Sequence, residues 1–373
     1  MDASYTWHPA SRGLSPKWPL TPQLLADELL SSWLVRTALV HACVPETLTE
    51  YAWPNSRIWC VDLDRGVDEP RLLLLSRLAG LSCRDLAAST LFPVSRALHS
   101  EPFLKASNLW PWILVLGCRN HFHAGGLQCC PACMGELEPH YLIQDRLAWH
   151  TCCPLHRSLL VDRCPRCASA LQPALLHVGD SLAQCHQCGE QMGAWALSPG
   201  TADALAFQNF ADGLYGEGTL FGKTEISFAE WMFVARVIVS LLRAIVRHPT
   251  ASSCLFCRLM GVDLTACPIS SLGLPFEYLG PAERSAFMGP AWTIMQAGPE
   301  RFIECAKTAS LPHSFLPMPA RDAPEILTHM ASALTCRPRC SPDITDRDFT
   351  RDPLNVWRMW LRLQRRIRRD GLH

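Results

Sequence analysis

The chain has 373 residues, 34 of them lysine or arginine and 34 aspartate or glutamate, so the formal net charge is zero. A protein whose main work is gripping nucleic acid non-specifically is usually basic overall, so any such contact must be local or shared with partners. The length predicts two or three domains with real cores, and the expected division is 1–124, 125–198 and 199–373. No stretch reaches the roughly 20 apolar residues of a membrane-spanning helix: 232–246 is broken by Arg236 and Arg243, and 109–118 is short and holds Pro111.

The start shows no secretory pattern, which predicts a cytoplasmic chain with reduced thiols rather than disulfides among its 19 cysteines. Lysine is scarce, and arginine carries nearly all the positive charge. That suits planar pairing with phosphate or carboxylate and equally fits a GC-rich coding bias.

Residues 1–21 read as an extended arm. Proline at position 22 predicts a helix start, with Leu24, Leu25, Glu28, Leu29, Trp33, Leu34 and Thr37 forming a one-sided stripe. A break follows near Pro45, then the stretch Trp59-Cys-Val-Asp-Leu-Asp64. The run 70–88 reads as helix, a stop at Gly80, and a second helix capped by Ser82 with Asp85 at the capping-box position. Helix, short turn, helix fits a helix-turn-helix, and Arg84 at the start of its second helix is a candidate nucleic-acid contact. The second helix is otherwise apolar or small, so a structural hairpin fits equally well.

Residues 125–195 carry the strongest signal. Cys130-Pro-Ala-Cys133 is followed by Cys153-Pro-Leu-His156, and Cys164-Pro-Arg-Cys167 by Cys185-His-Gln-Cys188. A two-residue gap lets a tight turn aim both side chains at one ion, and two such turns complete a tetrahedron with no open position. Two structural zinc ions are therefore expected, one held by Cys130, Cys133, Cys153 and His156, the other by Cys164, Cys167, Cys185 and Cys188. Cys129 and Cys152 could shift the frame by one, but only Cys130 and Cys153 are followed by the proline that presets the turn. His150 and His186 are expected to be exposed or to support ligands from behind. Cys254, Cys257 and Cys267 lack an obvious fourth ligand and read as buried thiols; Cys336 and Cys340 are likewise unpartnered.

A catalytic metal is disfavoured. A nucleobase deaminase pairs His-x-Glu with Pro-Cys-x-x-Cys, and His99-Ser-Glu101 does precede Cys130, but Cys129 stands where the proline should. Gly222-Lys223-Thr224 fails as a phosphate loop because Glu217 occupies the first glycine position. The chemistry thus points to a non-enzyme.

After a linker and short helix over 199–224, helices are expected over 228–247, 281–296 and 299–309. A last helix over 353–369 carries Arg358, Arg362, Arg365, Arg366, Arg368 and Arg369 among Trp357, Trp360, Leu361 and Ile367. It reads either as a phosphate or acidic-surface contact, or as an ordinary terminal helix with arginine at its dipole-favoured end. The expected fold is mainly α with small zinc-ribbon β elements: a helix-turn-helix-like N-terminal region, a double zinc-binding module and a C-terminal helical domain.

The order of these parts resembles the TniQ/TnsD family of transposition proteins. The carriers are Asp27-Glu-Leu-Leu-Ser-Ser-Trp-Leu-Val-Arg36, Leu78-Ala-Gly-Leu-Ser82 with Leu86 and Thr90-Leu91, and the paired knuckles with Tyr141, Trp149 and Leu159-Leu160 between them. The resemblance covers about 20–195; Arg146 departs from it, standing where members often carry tryptophan. It implies a non-catalytic accessory protein that chooses an insertion site, from attachment-site DNA or by docking on a CRISPR RNA-guided complex. It also implies recruitment of an AAA+ ATPase and, through it, the transposase; a homodimer is compatible with it. A zinc-ribbon, helix-turn-helix transcription regulator is the competing reading.

Overall fold

Helix α1 (Leu30–Val40) begins well after the proline at position 22 that was expected to open it. The computed structural model describes residues 17–99, 109–116, 125–136, 138–215, 217–269, 274–318 and 323–335. The approach to α1 stays extended because its carbonyls are already in use. Trp33 Nε1 donates to the Pro22 carbonyl at 3.0 Å, and Arg36 donates to that of Gln23 at 3.2 Å. Asp27 adopts φ 55, and the first amides of the helix find tertiary partners: Leu29 N donates to Tyr141 O and Leu30 N to Ser89 O. Those contacts replace the cap that Leu29 cannot supply.

The expected break near Pro45 is helix α2 (Pro45–Ala52), opened by proline at its first position. Helix α3 (Glu69–Ala79) ends at Gly80 in the left-handed region, and Ser82 caps α4 (Cys83–Ala88) by accepting from Asp85 N at 3.0 Å. Such a hairpin serves structural and DNA-reading proteins alike. Helix α5 (Phe92–Leu98) follows.

After the short helix α6 (Pro131–Glu136) of the first knuckle and the rest of the cysteine-rich region come α7 (Ala202–Gly213) and an antiparallel hairpin, β1 (Gly218–Phe221) with β2 (Thr224–Ser227), in the register Gly218↔Ser227 to Phe221↔Thr224. Gly222 and Lys223 are its two-residue turn, which disposes of the phosphate-loop likeness. Helix α8 (Phe228–Arg247) starts on a Ser227–Glu230 capping box, then come α9 (Ala251–Met260), α10 (Pro281–Thr308) and α11 (Glu325–Ser332). Helix α10 kinks at Gly298, at the joint expected between its two halves.

Two cores meet along α1. Leu30, Trp33, Leu34 and Ala38 pack with α2–α4 residues such as Leu48, Leu75, Leu78 and Leu86. Leu29 and Val35 face a larger core that runs without interruption from Trp112 and Trp149 through Phe207 to Met232, Phe287 and Phe302. The cysteine-rich region is thus continuous with the C-terminal helices. A helix buried on both sides needs internal partners for its polar groups. In α1, Ser32 Oγ donates to Glu28 Oε1, Arg36 pairs with Glu28 at 2.7 Å, and Ser31 donates from N and Oγ to Asp64. The polar residues of the opening motif therefore hold the fold together.

Two enclosed arginines complete the frame. Arg146 bonds both Asp62 and Asp64 and donates to Leu114 O at 3.0 Å, tying the 143–146 turn to the N-terminal region. Arg284 of α10 donates to Ala148 O at 2.6 Å, His150 O at 3.2 Å and Gln128 Oε1 at 2.6 Å. Its burial lowers its pKa to about 10, and it still bonds three carbonyl-type oxygens around the first knuckle. No helix among the described residues is long and apolar enough to cross a membrane.

Candidate metal centres

Three of the four knuckles share one backbone pattern. In each, the first ligand's N–H donates to the carbonyl five residues on, and its own carbonyl accepts from the amide four residues on. Cys153 does so with Ser158 and Arg157, Cys164 with Ser169 and Ala168, Cys185 with Glu190 and Gly189, at 2.8–2.9 Å. The turn closes only if the fifth residue is left-handed, and φ is 50 at Arg157, 58 at Ala168 and 73 at Gly189. The knuckle opened by Cys130 differs: its carbonyl accepts from Met134 N at 3.1 Å and starts helix α6 (Pro131–Glu136), which carries Cys133.

The knuckles converge in two groups, Cys130 with Cys133, Cys153 and His156, and Cys164 with Cys167, Cys185 and Cys188. Within each, all ligand atoms lie within 4.8 Å of one another. In the first, Cys133 and Cys153 Sγ are 3.6 Å apart, and His156 Nδ1 lies 3.4, 3.3 and 3.5 Å from the sulfurs of Cys130, Cys133 and Cys153. In the second, Cys164–Cys188 and Cys167–Cys185 are separated by 3.6 and 3.7 Å. A tetrahedral zinc with Zn–S bonds near 2.3 Å requires edges of about 3.8 Å between sulfurs and about 3.5 Å from sulfur to nitrogen. Both groups fit one metal ion each.

In the first group, hydrogen bonds from Cys133 and Cys153 hold the Cys130 thiol well below its ordinary pKa, and contacts with Cys130 and Cys153 push Cys133 up. In the second, burial pushes Cys185 up to about 12. Thiols crowded this closely cannot all ionise without a cation between them.

The neighbouring candidates sort differently. Cys129 and Cys152 are buried and point away, Cys129 Sγ meeting Met192 Sδ at 3.9 Å and Cys152 Sγ meeting Ser285 Oγ at 4.0 Å. His150 is neither exposed nor beside a ligand: it is buried with Nε2 2.9 Å from Asp212 Oδ1, which also accepts from Trp149 Nε1. His186 is half-buried near Ser169 Oγ. Cys254 is exposed on α9, whereas Cys257 and Cys267 are buried, with thiols pushed up to about 11 by burial; Cys267 donates to Ala286 O. None of these three joins a metal-type cluster among the described residues.

Arg84 is exposed on the first turn of α4. Arg358, Arg362, Arg365, Arg366, Arg368 and Arg369 lie outside the described residues, as do Glu101, Cys336 and Cys340. Sequence reasoning missed Glu136, whose Oε2 stands 3.0 Å from His156 Nε2; the signal would have been its place one helical turn after Cys133.

Residues 19–160 match the TniQ family model. The chain carries a TniQ domain. Its span takes in the opening motif, the α3–α4 hairpin and the whole first metal cluster, and it stops before the second. A TniQ domain associates the chain with transposition. No curated protein matches the chain significantly.

Proposed function

We propose that the chain selects the insertion target of a transposon and recruits an AAA+ ATPase that licenses the transposase. Target selection proceeds by binding attachment-site DNA or by docking on a CRISPR RNA-guided complex. The observation that carries this reading is the TniQ match over 19–160. Two structural zinc ions brace the platform. The donor sets, three cysteines with a histidine and four cysteines, are those of closed zinc sites, and the ligand separations suit them. Binding energy at such sites is folding energy, so the ions hold together the surfaces that partners use.

Arg84 and the arginines at 358, 362, 365, 366 and 369 are the proposed contacts with nucleic acid or partner, since neutral net charge requires the attraction to be local.

The test is a pull-down from cells carrying the surrounding gene cluster, with and without DNA or guide RNA. Capture of the ATPase supports the reading. Binding to a DNA duplex with altered transcription and no ATPase would favour a transcription regulator instead. Arg365→Ala with Arg366→Ala should leave the fold intact and weaken a salt-sensitive interaction; normal recruitment at high and low salt removes that role.

A further inference from the structure

We propose that Glu136 is the positioning residue of the first metal cluster, fixing the ring of His156 so that Nδ1 is the ligand atom. The inference rests on the metal reading above. His156 turns its two nitrogens to opposite tasks: Nδ1 lies 3.3–3.5 Å from three thiol sulfurs, and Nε2 lies 3.0 Å from Glu136 Oε2. A neutral imidazole has one proton, and the carboxylate can only accept. The hydrogen bond therefore keeps the proton on Nε2 and leaves the lone pair on Nδ1 facing the thiols. A histidine held this way is also a more basic donor, because the carboxylate stabilises the charge it gives up to the metal.

The placement is built into helix α6. Cys133 and Glu136 are three residues apart on it, so one turn presents a ligand and the orienting carboxylate side by side. Helix α6 is itself held against the second half of the module: a Cβ on Gly135 would stand 2.7 Å from Gly193 Cα. Gly193 lies in the turn that follows the last knuckle. The carboxylate is thus delivered by a helix packed backbone to backbone against the turn after the last knuckle. The second cluster's four ligand-type residues include no histidine, so among the described residues none needs a counterpart to Glu136; beside it, Arg166 pairs with Glu190 at 2.5 Å. It serves as a reference within the same molecule.

Glu136 is largely exposed, and an ordinary surface pair at this distance would contribute nothing to metal retention. The two cases separate by experiment. Full-length protein loaded with zinc is titrated with a chromogenic chelator, for the wild type, Glu136→Ala and Glu136→Gln. We expect Glu136→Ala to weaken one of the two ions about 10- to 100-fold and leave the other unchanged. Glu136→Gln should fall between, since its amide oxygen accepts the same hydrogen bond without the charge. Nitrogen-15 NMR of His156 should show metal-bound Nδ1 and protonated Nε2 in the wild type, with the Nε2 signal altered in Glu136→Ala.

Two ions that leave Glu136→Ala at wild-type affinities, or that weaken together, would overturn the positioning role while sparing the metal reading. A wild-type chain that takes up no ion at the first cluster would overturn both.

Discussion

Arg146 grips Asp62 with two parallel hydrogen bonds, Nη1 to Oδ1 at 3.1 Å and Nη2 to Oδ2 at 2.6 Å, from a side chain with no solvent exposure. Its Nη1 also reaches Asp64 Oδ2 at 3.1 Å. Burial drives the Asp64 carboxyl toward its neutral form, and the Arg146 charge opposes that. Arg146 is thus a buried cation matched to two acids in the 59–64 stretch. Replacing Arg146 by methionine leaves buried Asp64 without its cation, while Asp62 keeps Arg65 at 3.2 Å, and should cost about 3–5 kcal/mol. Adding Asp64→Asn should recover part of that loss. Urea denaturation of the single and double variants checks both.

Gly135 and Gly193 meet backbone to backbone, joining the two halves of the metal module. Gly135→Ala should destabilise the protein by about 1–3 kcal/mol and hasten metal loss, because α6 carries Cys133. Gly213→Ala is the control. It adds a methyl group at the end of α7 with nothing within 4 Å, and should be neutral or mildly stabilising. Thermal melts with metal release followed in parallel distinguish the two sites.

The left-handed fifth residue of the other three knuckles gives a second backbone test. A Cβ at Gly189 would have open space around it, so Gly189→Ala isolates the conformational cost, about 1–2 kcal/mol. Ala168 already bears that strain at φ 58. Ala168→Gly should therefore change stability by less than Gly189→Ala does, as relief of strain offsets the added freedom of the unfolded chain. Denaturation of the metal-loaded variants decides it.

His99 supplies a pH dependence. Burial disfavours its cation and lowers its pKa from 6.5 to about 4. The unfolded chain therefore binds the proton more readily than the folded one. The contribution of His99 is fully present above pH 6.5 and is lost as pH falls toward 4. His99→Gln should flatten the fall in melting temperature across that window; a wild-type slope in the variant would rule out this histidine as its source.

The sequence was most readable where chain-local chemistry decides the outcome. Gly80 and Ser82 stop and restart a helix through bonds within a few residues, and the Ser227–Glu230 box opens α8 in the same way. The eight ligand-type residues likewise converge in the two groups that their spacing indicates. What was illegible depends on distant partners. The expected helix from residue 22 fails because Trp33 and Arg36 claim the carbonyls before it. The expected ribbon strands are single bridges, Cys129 with Val161 and Cys152 with Leu159, because the knuckle turns use up the chain between them. His150 went to Asp212 of α7, a contact that no local pattern announces, whereas Glu136, one helical turn after Cys133, reaches His156 across the knuckles.

Whether the two cysteine-rich clusters hold zinc is read from the metal content of the purified chain. Elemental analysis alongside protein quantitation should find two zinc ions per chain, falling to one in Cys167→Ser if that variant stays folded, and removal by a strong chelator should unfold the wild type. One ion or none in the wild type, or a metal-stripped chain that keeps its fold, would contradict the account.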